Sequence, residues 1–189
     1  MTVRAAKKDE QPRVILGIDP GSVATGWGVV QAVGSALEHL GNGTIMSSSA
    51  EPQAMRLRRI YQGLQKVLRE YQPHAVSLEK VFFAQNVQST LKLGQARGVA
   101  LLAAAEHGIV VHEYAATEIK NSVVGYGHAT KEQVQKMVAA LLRLPGKMAA
   151  DAADALAAAI CHVHRQSFQA RLLSAVKPGA AIMRRRVAP

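Results

Sequence analysis

The chain has 189 residues, with 23 Lys+Arg against 13 Asp+Glu, a formal charge of +10 and a pI near 10.1, so its field favours a polyanionic partner. Its length suits one domain with a sizeable core, no apolar run approaches the roughly 18 residues of a membrane span, and the charged opening MTVRAAKKDEQP does not read as a secretory signal. Cys161 is the single cysteine, which excludes an internal disulfide and a cysteine-built zinc site and agrees with a reducing, cytoplasmic setting.

In chain order, residues 1–12 read as a flexible extension and residues 13–18 as a buried central strand that stops at Asp19 before Pro20-Gly21. GWGVVQAV and LEHLGNGTI predict two more strands, joined at the Gly-Ser stretch 34–35, which makes an antiparallel meander. From Pro52 to Tyr71, the residues Met55, Ile60, Leu64, Val67 and Leu68 recur at helical spacing with Arg and Lys between them. Residues 74–79 return to strand, residues 86–107 read as a long helix stopped by Gly108, and a fifth strand begins at Ile109. Three helical segments follow. Thr130 and Gln133 form a capping box for a helix to about Leu144, and AADAADALAAAICHVHR forms the last helix, to residue 165. Residues 166–189, ending in MRRRVAP, read as a basic, flexible tail, with the three arginines at 184–186 as a nonspecific contact or a solubilising end. The expected fold is α/β, a five-stranded mixed sheet of three antiparallel and then two parallel strands flanked by helices, over residues 13–165.

Four of the thirteen acids are embedded in apolar sequence: Asp19 in VILGIDPG, Glu79 in AVSLEKVFF, and Asp151 and Asp154 in AADAADALAAAI. An ionised carboxylate in such a setting is heavily penalised unless a cation neutralises it. Parallel strands joined through a helix end at the same sheet edge, which allows Asp19 and Glu79 to meet. Asp151 and Asp154, at i and i+3, share one helix face, and the alanines around them let that helix approach the sheet closely. Four carboxylate oxygen donors suit magnesium or manganese, which keep waters and accept a phosphate oxygen as a further ligand. Two ions roughly 3.5–4 Å apart would activate water and stabilise the leaving oxygen of an in-line displacement. The basic surface and the acidic cluster together point to a metal-dependent nuclease.

Each candidate also has a plain reading. An Asp before Pro-Gly is commonly a turn former, Asp151 and Asp154 read locally as a solvated helix face, and Phe82 and Phe83 read as core residues of which an extended backbone exposes one. Lys120 and Lys131 read as surface charges. His112, His128, His162 and His164 lack a metal-ligand spacing and are assigned no chemistry.

Taken in order, ILGIDPGSVATGWGVV, SLEKVFFAQNVQSTLKLGQARGVA, YAATEIKNSVVGYGHATKEQVQKMV and DAADALAAAICHVH resemble the RuvC family of Holliday-junction resolvases, over about residues 13–164. The resemblance implies a ribonuclease H-like fold and a homodimer whose two active sites nick a four-way DNA junction symmetrically in recombinational repair. It also implies a branch-migration motor complex of RuvA and RuvB type as partner, and a preference for a short thymine-rich sequence. Position by position, Asp19, Glu79, Asp151 and Asp154 fall on the family's catalytic, metal-binding acids. Where some members carry histidine, this chain has Asp151, so its ligand set is all carboxylate, for Mg2+ or Mn2+ and two ions per site with substrate. Lys120 and Lys131 align with basic residues near the scissile phosphate, with both catalytic and DNA-binding roles. Phe82 aligns with an aromatic that stacks on an unpaired base. The helix over 86–107, apolar beyond one stripe, has one face for the sheet and another for a second copy of the chain.

Two other classes compete. A branched-DNA-binding module without nuclease activity explains the basic surface but leaves the four acids without a purpose. An actin-like ATPase or sugar kinase shares the GIDPGSVATGWGVV hairpin, but such proteins need two related lobes, and no second hairpin occurs.

Overall fold

A computed structural model describes residues 11–80, 87–146 and 148–175. Its elements are β1 (Arg13–Asp19), β2 (Ala24–Val33), β3 (Ala36–Met46), α1 (Gln53–Tyr71), β4 (Ala75–Glu79), α2 (Val87–Glu106), β5 (Val110–Tyr114), α3 (Ala116–Val124), α4 (Lys131–Leu141) and α5 (Ala150–Ala175). The sheet order is β3-β2-β1-β4-β5. β1, β2 and β3 pair antiparallel, whereas β4 is parallel to both β1 and β5. This is the mixed sheet expected from the sequence.

Local chemistry sets most boundaries. Gly34, at φ +58°, turns β2 into β3, and Gly108, at φ +66°, ends the turn after α2, both in the left-handed region where a glycine costs least. α1 ends differently, at Gln72 with φ 44°, whose amide donates to Leu68 O at 3.0 Å. At the start of α4, Thr130 Oγ1 accepts from the Gln133 amide at 3.3 Å while Gln133 Oε1 accepts from the Thr130 amide at 2.8 Å, the reciprocal capping box.

Alternation along the strands divides the core in two. Leu16, Ile18, Val76 and Leu78 face α1 and α2, and pack with Ile60, Leu64, Ala96 and Ala100. Ile15, Val30 and Ala75 face the other way, toward α3, α4 and α5, and pack with Ile119, Val138, Leu156 and Ile160. Within that layer His162 is fully buried, with its Nδ1 2.7 Å from the Tyr114 hydroxyl. α5 is the long central element of this second layer, and it runs on to Ala175, past the boundary expected at 165. Its last turns have no core face: Phe168, Leu172 and Leu173 are exposed. The helix continues there because extending an existing helix adds a hydrogen bond per residue without a new nucleation cost.

α5 reaches the sheet through a trench of glycines. A Cβ on Gly17 of β1 would stand 1.8 Å from Ala155 O, and one on Gly26 of β2 would stand 2.0 Å from Asp151 O. Any larger residue at either position would push the helix away. The first turns of α5, which carry Asp151 and Asp154, are thereby laid directly over the end of β1.

Candidate active site

The period of two that fills the core also aims the acids. Gly17 of β1 and Ser77 of β4 face α5, Gly17 against Ala155 and Ser77 through a 2.7 Å bond to Ala158 O. Asp19 and Glu79, two residues further along their strands, share that face. They lie one step beyond the last β1–β4 register pair, Ile18↔Leu78, at the sheet edge where both parallel strands end. α5 supplies Asp154 from above, α4 begins with Lys131, and α3 contributes Lys120.

These residues meet in one cleft of about 500 Å3, lined by Asp19, Glu79, Asp154, Lys120 and Lys131, with Leu93 of α2 and Lys80 at its margin. Asp151 is not among its lining residues. It stands one turn before Asp154, its carbonyl seated over Gly26, and its charge reaches both Asp19 and Asp154. Of the four acids singled out in the sequence, Asp19, Glu79 and Asp154 line this cleft and Asp151 does not.

The electrostatics are those of crowded carboxylates. Burial, reinforced by the charges of Asp154, Glu79 and Asp151 and opposed by Lys131, pushes Asp19 up to about 7. Glu79 is raised by burial and then by Asp154, against the pull of Lys131 and Lys120. Asp154 is raised by burial, although Lys131 counters by charge and by hydrogen bond. The Lys131 ammonium lies 3.5 Å from Asp154 Oδ2 and is itself raised, chiefly by that carboxylate. Among the described residues, no group of three or more His, Cys, Asp or Glu side chains is gathered closely enough to hold a metal ion. The donor set nonetheless fits a hard divalent cation: it is all oxygen, negatively charged, and costly to keep ionised without a cation.

Two contributions went unread in the sequence. Gly17 and Gly26 position α5, for which the only local signal is glycine inside a strand pattern. Arg97, at 16% side-chain exposure, reaches from α2 to the carbonyl of Glu79 at 3.1 Å, a contact between residues that no local pattern pairs. Phe82 lies outside the described residues.

The family described as crossover junction endodeoxyribonuclease RuvC matches residues 15–162. A crossover junction endodeoxyribonuclease RuvC of Geobacter sulfurreducens is 53% identical over 150 residues, covering 79% of this chain and 92% of its own length. The protein of that name from Trichlorobacter lovleyi is 52% identical over 171 residues, with 90% and 94% coverage. Among solved structures, T. thermophilus RuvC in complex with Holliday junction substrate superposes with a TM-score of 0.79 at 35% identity, over 83% of this chain and 96% of that one. Family match, sequence identity and fold thus agree, and the chain belongs to the RuvC family of crossover junction endodeoxyribonucleases.

Proposed function

We infer that this chain resolves Holliday junctions, cutting the four-way DNA by paired symmetric nicks in recombination and repair. The observation that supports this best is the convergence of Asp19, Glu79 and Asp154 with two lysines in one cleft, in a chain whose relatives are named for crossover junction cleavage.

Asp19, Glu79, Asp151 and Asp154 are the residues that would hold Mg2+, or Mn2+ in its place, two ions per site with DNA bound. Such ions supply an activated water and offset charge on the leaving oxygen. The chain's own residues do the rest. Lys131, at the first position of α4, presents an ammonium at a helix N-terminus, whose dipole also favours a phosphate. It is held 3.5 Å from Asp154, so an arriving phosphate would compete with that carboxylate for the same cation and leave Asp154 free to serve as a ligand. Lys120 adds a second positive charge to the same wall. Asp19 must be ionised to serve as a ligand, and its raised proton affinity makes that ionisation dependent on the counter-charge. Phe82 is proposed to stack on a base opened at the crossover, which tolerates any sequence.

The active unit is a homodimer. On α2, Leu91 and Leu102 are exposed and bracket Gly94 and Gly98, each with open space beside it. At successive spacings of three and four these residues form one stripe opposite the buried Ala96, Ala100 and Ala103. An isologous contact along that stripe places two clefts about a two-fold axis, in keeping with the pseudo-symmetry of the junction. The partner in the cell is a branch-migration motor complex of RuvA and RuvB type, and the site of action is the cytoplasm; no helix among the described residues is long and apolar enough to cross a membrane.

A comparison of a synthetic four-way junction, a linear duplex and an RNA–DNA hybrid, each with Mg2+ or chelator, tests this reading. Metal-dependent symmetric nicks on the junction alone are expected. Binding without cutting would instead assign a junction-binding module, and preferential hybrid cleavage would move the activity to ribonuclease H.

A further inference from the structure

β4 ends where its hydrogen-bond ladder stops. Glu79 pairs with Tyr114 of β5, and the Lys80 amide donates to Tyr114 O at 2.8 Å, but the register with β1 ends at Leu78. The carbonyl of Glu79 is taken by a side chain from another layer. Arg97 Nη1 donates to it at 3.1 Å, while Nη2 of the same guanidinium pairs with Glu113 of β5. One planar fork thus joins α2, the last residue of β4 and the neighbouring strand. Leu93, one turn earlier on α2, lines the cleft itself, so the helix that carries the fork also walls the site.

We propose that Arg97 is a positioning residue for the metal site: by clamping the backbone of Glu79 to α2 and β5, it sets where the Glu79 carboxylate stands relative to Asp19 and Asp154. This rests on the nuclease reading above. A strand's terminal residue has fewer ladder bonds to fix it, and a ligand there needs another anchor. The guanidinium provides two donors in a rigid plane, whereas a lysine ammonium is a point charge on a flexible stem and cannot reproduce the fork. The partly buried ion pair with Glu113 ties α2 to β5; the arm on Glu79 O is what links Arg97 to the chemistry. Partners that orient a metal ligand in this way typically cost 10–100-fold in metal affinity when removed.

The test uses the full chain bound to a four-way junction made resistant to cleavage, with Mn2+ binding followed by loss of the free-ion EPR signal. Arg97→Lys, which keeps the charge opposite Glu113, and Arg97→Gln are expected to raise the Mn2+ concentration for half-saturation about 10–100-fold. Junction affinity in chelator should stay within about twofold, and excess metal should recover most of the single-turnover cleavage of an ordinary junction. An unchanged Mn2+ midpoint, or a matching loss of junction affinity in chelator, overturns the role of Arg97; if Arg97→Gln does not fold, Arg97→Lys decides by the same two readouts. Wild-type protein that fails to cut, or Glu79→Gln that cuts at the wild-type rate, removes the nuclease reading and this proposal with it. A cutting wild type and an inactive Glu79→Gln, beside an Arg97→Lys with the wild-type midpoint, remove the proposal alone.

Discussion

The carbonyl oxygen of Asp151 occupies space that a side chain at Gly26 would need, 2.0 Å from where a Cβ would stand. The obstacle is backbone, which cannot rotate aside, so the sheet and α5 must separate to admit even a methyl group. Gly26→Ala is therefore expected to cost about 1–3 kcal/mol, the range of core overpacking, and to lower cleavage by more than that stability loss explains, because Asp151 and Asp154 move with the helix. Urea melts and single-turnover cleavage on the same preparation check this. Gly98→Ala, at an open helical site, is the control for stability of the isolated fold.

Asp19 should trade stability for function. Its proton affinity is raised from 3.8 to about 7, so in the absence of metal the native state binds the proton more tightly than the unfolded chain does. The associated stability is fully present below about pH 4 and is lost as pH rises through about 7. At neutral pH and above, in chelator, Asp19→Asn is expected to be the more stable protein by on the order of 2–4 kcal/mol. That advantage shrinks toward pH 4 and when Mg2+ is supplied to the wild type. Thermal melts from pH 4 to pH 8 with chelator or Mg2+ measure it; a constant difference across that range would contradict the assignment.

His162 titrates with the opposite sign. Burial and the neighbouring His112 and Arg13 lower it to about 4, so the native state holds it neutral while the unfolded chain takes up a proton near pH 6.5. Its contribution is present above pH 6.5 and is lost as pH falls toward 4, by up to about 3 kcal/mol. A His162→Gln variant, neutral throughout, should show a flatter stability profile between pH 6.5 and pH 4 than the wild type.

Leu91 and Leu102 lie on the α2 stripe that faces away from the sheet, at 63% and 53% exposure. Leu91→Glu should leave the folded subunit's stability within about 0.5 kcal/mol, as surface changes usually do, while a charge buried in an isologous seam is present twice. Sedimentation should report a monomer for this variant and a dimer for the wild type. Nicks by the variant should lose their pairing.

Much of this was legible because it is local. The β2–β3 turn at Gly34, the stop at Gly108 and the box of Thr130 and Gln133 each depend on a few adjacent residues, and the alternation of β1 and β4 fixed the face to which Asp19 and Glu79 belong. The acids stood out because apolar neighbours left them no solvated stripe. What escaped was three-dimensional. Gly26 reads in sequence as a weak point in a strand, and only the backbone of α5 lying against it reveals its purpose. Arg97 reads as one more surface cation until the Glu79 carbonyl is found at its guanidinium. The continuation of α5 to Ala175 had no apolar face to announce it, and Asp151, expected to share the cleft equally, stands one turn before Asp154 with its backbone seated on Gly26.

As proposed ligands in metal-dependent cleavage, Asp19 and Glu79 should both be indispensable to the reaction. The most direct test is the cleavage rate of Asp19→Asn and Glu79→Gln on a four-way junction with saturating Mg2+, measured together with junction affinity in chelator. Loss of detectable cleavage is expected, with affinity within about twofold of wild type, or tighter, since a buried charge that repels phosphate has been removed. Cleavage at the wild-type rate by either variant would contradict that role.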